Sequence, residues 1–135
     1  MLASANAGYF VQGGYGRRSS RTGPPGSAAV AQVVADQLAA IGVTAEATTF
    51  NDASDYAAFV AAGVPSAGIL TGDEDEKSTR EAQMWGGRAG EVYDRCYHSA
   101  CDGLDNLDRT ALDRTTDAAA GTLVHFATST DPLPS

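Results

Sequence analysis

Residues 27–50 read SAAVAQVVADQLAAIGVTAEATTF and hold the change from helix to strand that decides the fold class. Apolar residues recur at helical spacing over residues 28–41, directly after Ser27, a residue type that favours helix starts. Gly42 ends that pattern, and residues 43–50 then alternate between apolar and polar side chains, which predicts a strand. A helix followed at once by a strand indicates an α/β chain.

The remainder of the chain continues this alternation. Further elements are predicted on both sides: strands at 8–12 and 67–70, the second buried on both faces, and helices opening at Ser54-Asp55, over 78–85 and over 110–128. Residues 13–26 are predicted to form a flexible surface loop. Together these elements predict an α/β sandwich around a largely buried sheet, with residues 1–130 in one domain and 131–135 as a frayed tail.

Composition and charge exclude several classes of partner. The chain has 135 residues, 43% of them hydrophobic and 19% charged, which is typical of a globular protein. Its net charge of −8 argues against nucleic acid, because binding a phosphate backbone needs clustered Lys and Arg. No apolar run approaches the ~20 residues of a membrane span, and no secretory signal is visible at the N-terminus. We therefore expect neither a nucleic-acid partner nor a membrane partner.

Cys96 and Cys101 enclose four residues that include Tyr97 and His98. A pair this close readily closes into a disulfide loop, and disulfides persist in oxidising compartments. The alternatives are two reduced cysteines or a zinc knot that uses His98, which would lack a fourth ligand. A disulfide would hold Tyr97 and His98 on a rigid loop, where an imidazole can bind metal and a phenol can donate to an oxyanion.

The segment from Asp94 to Asp102, with Trp85 to Gly90 before it, resembles the C-terminal part of secreted bacterial dinuclear-zinc aminopeptidases, metallopeptidase family twenty-eight. Other segments resemble the same family in the same order: residues 1–11, 54–59, 63–65, 70–72 and 110–114. The resemblance implies a partial three-layer αβα sandwich of the zinc-exopeptidase type, with a mostly parallel but mixed sheet. It also implies a hydrolase that removes N-terminal, apolar residues from peptide substrates.

The resemblance implies roles for individual residues. His98 matches a zinc ligand of the family, and Tyr97 matches the tyrosine that stabilises the tetrahedral oxyanion. Met1 and Leu70 match positions that line the pocket for the substrate's N-terminal side chain.

Asp113 and Asp117 match a calcium site on the last helix of the secreted bacterial members. Their i, i+4 spacing places both carboxylates on one helix face, where they repel unless a cation or a base offsets the repulsion. Ordinary acidity near a helix start remains the alternative interpretation, because it needs no ion.

The chain also departs from the family pattern. The family's two zinc ions need five protein ligands and a glutamate base, and only His98 matches one of these groups. In the family, one aspartate ligand stands immediately before the position that matches Met1. We therefore expect the other ligands in a preceding, N-terminal half. Ala53 replaces an arginine that contacts substrate in close relatives.

These departures set the functional expectation. The sequence predicts the C-terminal half of a secreted zinc aminopeptidase, inactive as this chain alone. The alternative is a non-catalytic secreted module that binds calcium or peptide. Weaker candidates have simpler interpretations: Ser54-Asp55 as a helix cap, and His125 as a half-buried packing residue.

Overall fold

A computed structural model describes residues 2–14 and 23–133 of the chain. Its elements follow the predicted alternation: β1 (Phe10–Gln12), α1 (Ser27–Ala40), β2 (Glu46–Thr48), α2 (Tyr56–Ala61), β3 (Gly68–Leu70), α3 (Thr79–Trp85), a 3₁₀ turn (Leu104–Asn106) and α4 (Arg109–Thr128). The predicted α/β class is therefore confirmed. Most of the predicted loop over 13–26 lies outside the described residues.

The three strands form one mixed sheet in the order β2-β1-β3. The central strand β1 runs parallel to β2, with Phe10 opposite Glu46, and antiparallel to β3, with Phe10 opposite Leu70. Each strand has only three residues, and β2 covers only the middle of the strand predicted over 43–50. The mixed sheet agrees with the predicted architecture.

Helices α1 and α4 pack together against one face of the sheet around a core of small residues. Val11 and Leu38 are fully buried there, as are Ala31 on α1 and Ala111 on α4. Alanine side chains let two helices approach closely. Gly121 shows how closely, because a Cβ at that position would collide with the side chain of Gln37 on α1.

The opposite face of the sheet carries Phe10 and Gln12, because successive strand side chains point to opposite faces. The Phe10 ring makes edge-to-face contacts with Trp85 at 5.1 Å and Tyr93 at 5.4 Å between centroids. Gln12 Nε2 donates to the Tyr56 hydroxyl of α2 at 3.4 Å. Elements on both faces of the sheet give a partial αβα arrangement.

Several residues are more exposed than the sequence pattern predicts. Strand β3 is half-buried rather than buried on both faces, because within the described chain it pairs with β1 alone and its other edge is open. Phe59 on α2 is 58% exposed, and Leu123 and Val124 on α4 are 71% and 60% exposed. His125 is exposed rather than half-buried. Apolar periodicity identified these helices correctly but assigned too wide a buried face.

The predicted cap at Ser54-Asp55 is also wrong in detail. Asp55 occupies the N-cap position of α2, but its side chain accepts no capping hydrogen bond. Its carboxylate instead accepts from the Ser54 hydroxyl at 3.0 Å.

None of the helices in residues 2–14 and 23–133 is both long enough and apolar enough to cross a membrane.

Candidate functional site

Cys96 and Cys101 form a disulfide, as their spacing predicts. We call residues 96–101 the disulfide loop. Cys96 is buried at its base, and Cys101 is exposed. The loop therefore joins the fold at one end and reaches the surface at the other.

The turn of the disulfide loop is centred on His98. This residue has a φ of 51°, in the left-handed region that non-glycine residues seldom occupy. Bonds around it stabilise that conformation: the Ser99 hydroxyl and backbone N–H both donate to the Cys96 carbonyl, at 2.7 and 3.0 Å. Strained backbone held by its surroundings is commonly found at functional sites.

Tyr97 and His98 lie with their rings stacked, 4.0 Å between centroids and 18° from parallel. Tyr97 is partly buried and His98 is exposed. The phenol and the imidazole are therefore presented together rather than on opposite sides of the turn.

Both rings line a cavity of about 770 Å³ that also receives residues from the open edge of β3. Leu70, at the end of β3, lines the same cavity. Met1 lies outside the described residues, although its neighbour Leu2 is part of the lining. Ala53 also lies on the wall.

Asp113 and Asp117 lie apart from this cavity, on the exposed surface of α4. In the part of the chain that the structure describes, no group of three or more His, Cys, Asp or Glu side chains is arranged to hold a metal. A catalytic zinc ordinarily takes three protein ligands. The described residues therefore do not hold zinc by themselves, and His98 offers one imidazole.

Sequence reasoning missed a buried cluster around Lys77, which includes Tyr93 in the segment that leads into the disulfide loop. Lys77 is 1% exposed, and its Nζ donates to the carbonyls of Ala7 at 2.7 Å and Gly86 at 3.0 Å. Burial lowers the pKa of Lys77, and the negative charges of Asp108 and Glu81 only partly oppose that effect. Its status as the chain's one lysine was the available signal.

Tyr93 belongs to the same cluster and immediately precedes Asp94. Burial, together with a hydrogen bond to Glu81, raises the pKa of the Tyr93 hydroxyl well above its usual value. This phenol therefore stays neutral and anchors the chain just ahead of the disulfide loop.

A second missed pair supports the disulfide loop directly. Asp94 is 3% exposed and Asn106 is 8% exposed, and the Asn106 amide donates to the Asp94 carboxylate at 2.9 Å. Each of these polar side chains would be costly to bury alone, and the hydrogen bond between them offsets that cost.

A mixed sheet with helices on both faces, and a Tyr-His pair at a cavity beside an open strand edge, is the class of structure expected for a piece of an αβα exopeptidase. The family comparison agrees: the model of peptidase family M28 matches residues 1–123. The chain belongs to peptidase family M28.

Individual relatives point the same way. The chain is 41% identical over 120 residues to a Pseudomonas aeruginosa protein named aminopeptidase, covering 89% of the chain and 22% of that protein. It is 43% identical over 117 residues to the probable lipoprotein aminopeptidase LpqL of Mycobacterium tuberculosis, covering 83% and 23%. It is 38% identical over 135 residues to leupeptin-inactivating enzyme 1 of Streptomyces exfoliatus, covering 99% and 28%. The chain thus spans between about a fifth and just over a quarter of these relatives.

Proposed function

We propose that this chain forms one wall of the active site of a zinc aminopeptidase that removes apolar N-terminal residues from peptides. The observation that carries the proposal is that Tyr97, His98 and Leu70 line one cavity. The names of the M28 relatives support the reaction class.

Each of the three residues has a distinct part in this proposal. Leu70 gives the cavity an apolar wall that favours an apolar side chain at the substrate's N-terminus. The Tyr97 hydroxyl donates to the carbonyl oxygen as negative charge develops on it. The His98 imidazole is one zinc ligand, and the remaining ligands and the general base lie outside the described residues.

The first test is the chain alone. We expect no release of p-nitroaniline from leucine p-nitroanilide even with excess zinc, because one imidazole cannot hold a catalytic zinc. Turnover that is abolished by Tyr97→Phe or His98→Ala would contradict this expectation. Turnover insensitive to both substitutions would indicate a contaminant and leave the expected inactivity standing.

The second test supplies the rest of an active site. We propose a chimera in which this chain replaces the matching segment of the Pseudomonas aeruginosa aminopeptidase. The chimera is expected to hydrolyse leucine p-nitroanilide, and Tyr97→Phe is expected to lower kcat by about 10²-fold or more, as loss of one oxyanion donor does.

The control is Tyr56→Phe, a tyrosine of the same cavity whose hydroxyl donates to the Asn51 side chain at 2.7 Å. A folded chimera in which Tyr97→Phe and Tyr56→Phe lower kcat equally would refute the role of Tyr97.

We also propose that Asp113 and Asp117 bind calcium weakly at most. Two exposed carboxylates fall well short of the 6–8 oxygen ligands that calcium takes. Calorimetry that finds sub-micromolar calcium binding by this chain would overturn this proposal and favour a non-catalytic calcium-binding module instead.

We further propose that the complete protein acts outside the cytoplasm. The disulfide supports this location, because such bonds persist in oxidising compartments. The lipoprotein designation of the mycobacterial relative is consistent with it. Free-thiol titration of denatured protein from its source checks the proposal: two reactive thiols would contradict it.

A further inference from the structure

Asn106 connects the two ends of the disulfide loop through a single side chain. Its Nδ2 group donates to the Asp94 carboxylate at 2.9 Å and to the Asp102 carboxylate at 3.2 Å. Asp94 stands two residues before Cys96, and Asp102 directly follows Cys101. One amide thus joins the residues that flank the disulfide on either side.

Asp94 links Asn106 to the disulfide loop and to the rest of the fold. Its carboxylate accepts a second bond from the Cys96 backbone N–H at 2.9 Å, and its own N–H donates to the Asp73 carbonyl at 2.8 Å. Asp73 lines the cavity together with Tyr97. A disulfide closes a loop but does not orient it, whereas these bonds tie the loop to the cavity wall.

Asn106 lies directly ahead of helix α4. It ends the 3₁₀ turn two residues before Asp108, whose carboxylate caps α4 by accepting from Ala111 N–H at 3.0 Å. Asp108 N–H also donates to the Ala3 carbonyl at 3.1 Å. The bridge therefore starts beside the capped start of α4, which is bonded to the N-terminal segment.

We propose that Asn106 is a positioning residue that sets the placement of Tyr97 and His98 in the cavity. This inference rests on the proposed function for its biological meaning, but the placement itself can be measured without activity. An amide suits the position because its NH₂ group has two donors for two carboxylates. An aspartate at 106 would place a third carboxylate there and provide no donor at neutral pH.

The experiment is proton NMR of the intact oxidised chain. The Tyr97 ring, stacked on His98, is expected to displace the His98 ring protons upfield. Because the chain has only two histidines, His125→Gln assigns the signals. In Asn106→Ala we expect that displacement to fall by more than half. Asp105→Ala is the matched control, an exposed residue of the same 3₁₀ turn, and should leave the displacement unchanged.

A second readout is the thiol–disulfide equilibrium in glutathione buffers. Asn106→Ala removes two hydrogen bonds to carboxylates, which are stronger than hydrogen bonds between neutral groups. We expect this loss to shift the thiol–disulfide equilibrium toward the reduced form by about tenfold or more. Asp105→Ala should not shift it.

Asp102→Ala decides the matter if Asn106→Ala fails to fold. Asp102 is exposed, so this variant removes one arm of the bridge without emptying a buried site. We expect a partial loss of the His98 displacement. An unchanged displacement in a folded Asn106→Ala or, failing that, in Asp102→Ala would overturn the inference. An inactive chimera with an intact displacement would instead count against the proposed function alone.

Discussion

Lys77 is the chain's one lysine and one of its most buried side chains. Its Nζ satisfies the carbonyls of Ala7 and Gly86 and lies 5.7 Å from the centre of the Tyr93 ring. It thereby ties the start of β1 to the end of α3 and to the segment that enters the disulfide loop. Aliphatic packing alone could not replace these bonds.

We expect Lys77→Met to lower the free energy of unfolding by about 2–3 kcal/mol, because two carbonyls lose their donor. Urea unfolding measures this change. Arg88→Met is the control: Arg88 is exposed, and its contact with Glu91 is a surface pair of little energetic value. Equal effects of the two substitutions would show that the buried hydrogen bonds of Lys77 add no more to the free energy of unfolding than a surface ion pair does.

At the scale of the elements, the caps of α2 and α4 differ in a way that can be tested. The Asp108 carboxylate accepts from Ala111 N–H at the start of α4, whereas Asp55 at the start of α2 makes no such bond. We expect Asp108→Ala to cost about 1 kcal/mol of stability and Asp55→Ala close to none. Thermal unfolding of both variants checks the difference, and a larger loss from Asp55→Ala would contradict it.

Helix α3 begins with a capping box, in which Glu81 N–H donates to the Ser78 hydroxyl and the Glu81 carboxylate accepts from Ser78 N–H at 2.7 Å. Burial alone would raise the pKa of Glu81. The hydrogen bonds from Ser78 and from Tyr93, with the charge of Arg80, outweigh burial, so the net effect lowers the pKa below 4.5.

This shift has a definite sign for stability. A carboxyl group whose pKa is lowered by folding stabilises the native state above its unfolded pKa, and that contribution is lost as the pH falls through the folded pKa. We therefore expect wild type to exceed Glu81→Gln in stability at neutral pH, with the gap closing as the pH falls below 4.5. Urea unfolding across this range measures the gap. Glu74→Gln, at an exposed position, should show no comparable trend.

At the scale of the whole molecule, α4 exposes Leu123 and Val124 to solvent within the described structure. The same helix lines the cavity together with residues of β3, whose outer edge is unpaired in the described structure. Exposed apolar surface of this kind, beside an unpaired strand edge, promotes association. The isolated chain is therefore expected to self-associate as its concentration rises.

The double substitution Leu123→Gln and Val124→Gln should reduce that association, as measured by sedimentation velocity over a concentration series. Ala127→Gln is the matched control, since it adds the same amide to the same helix at a small exposed residue. Unchanged association in the double variant would show that the chain does not associate through Leu123 and Val124. The open edge of β3 would then be the remaining candidate surface.

The sequence by itself determined the features that depend on near neighbours. The order of helices and strands, the bounds of α1 and the extent of α3 follow from periodicity and from residue types at helix ends. The Cys96–Cys101 disulfide followed from a separation of five residues. The stacked Tyr97 and His98 are adjacent in the chain, so the motif itself was visible from the start.

Only the tertiary structure decided which side chains are buried and which polar groups meet. Leu70 joins Tyr97 in one cavity, and Asn106 reaches both Asp94 and Asp102, through contacts that no local pattern encodes. The exposure of Leu123 and the half-burial of β3 likewise depend on which elements cover them. Periodicity identifies an apolar face, but burial requires a partner surface, and that partner is distant in sequence.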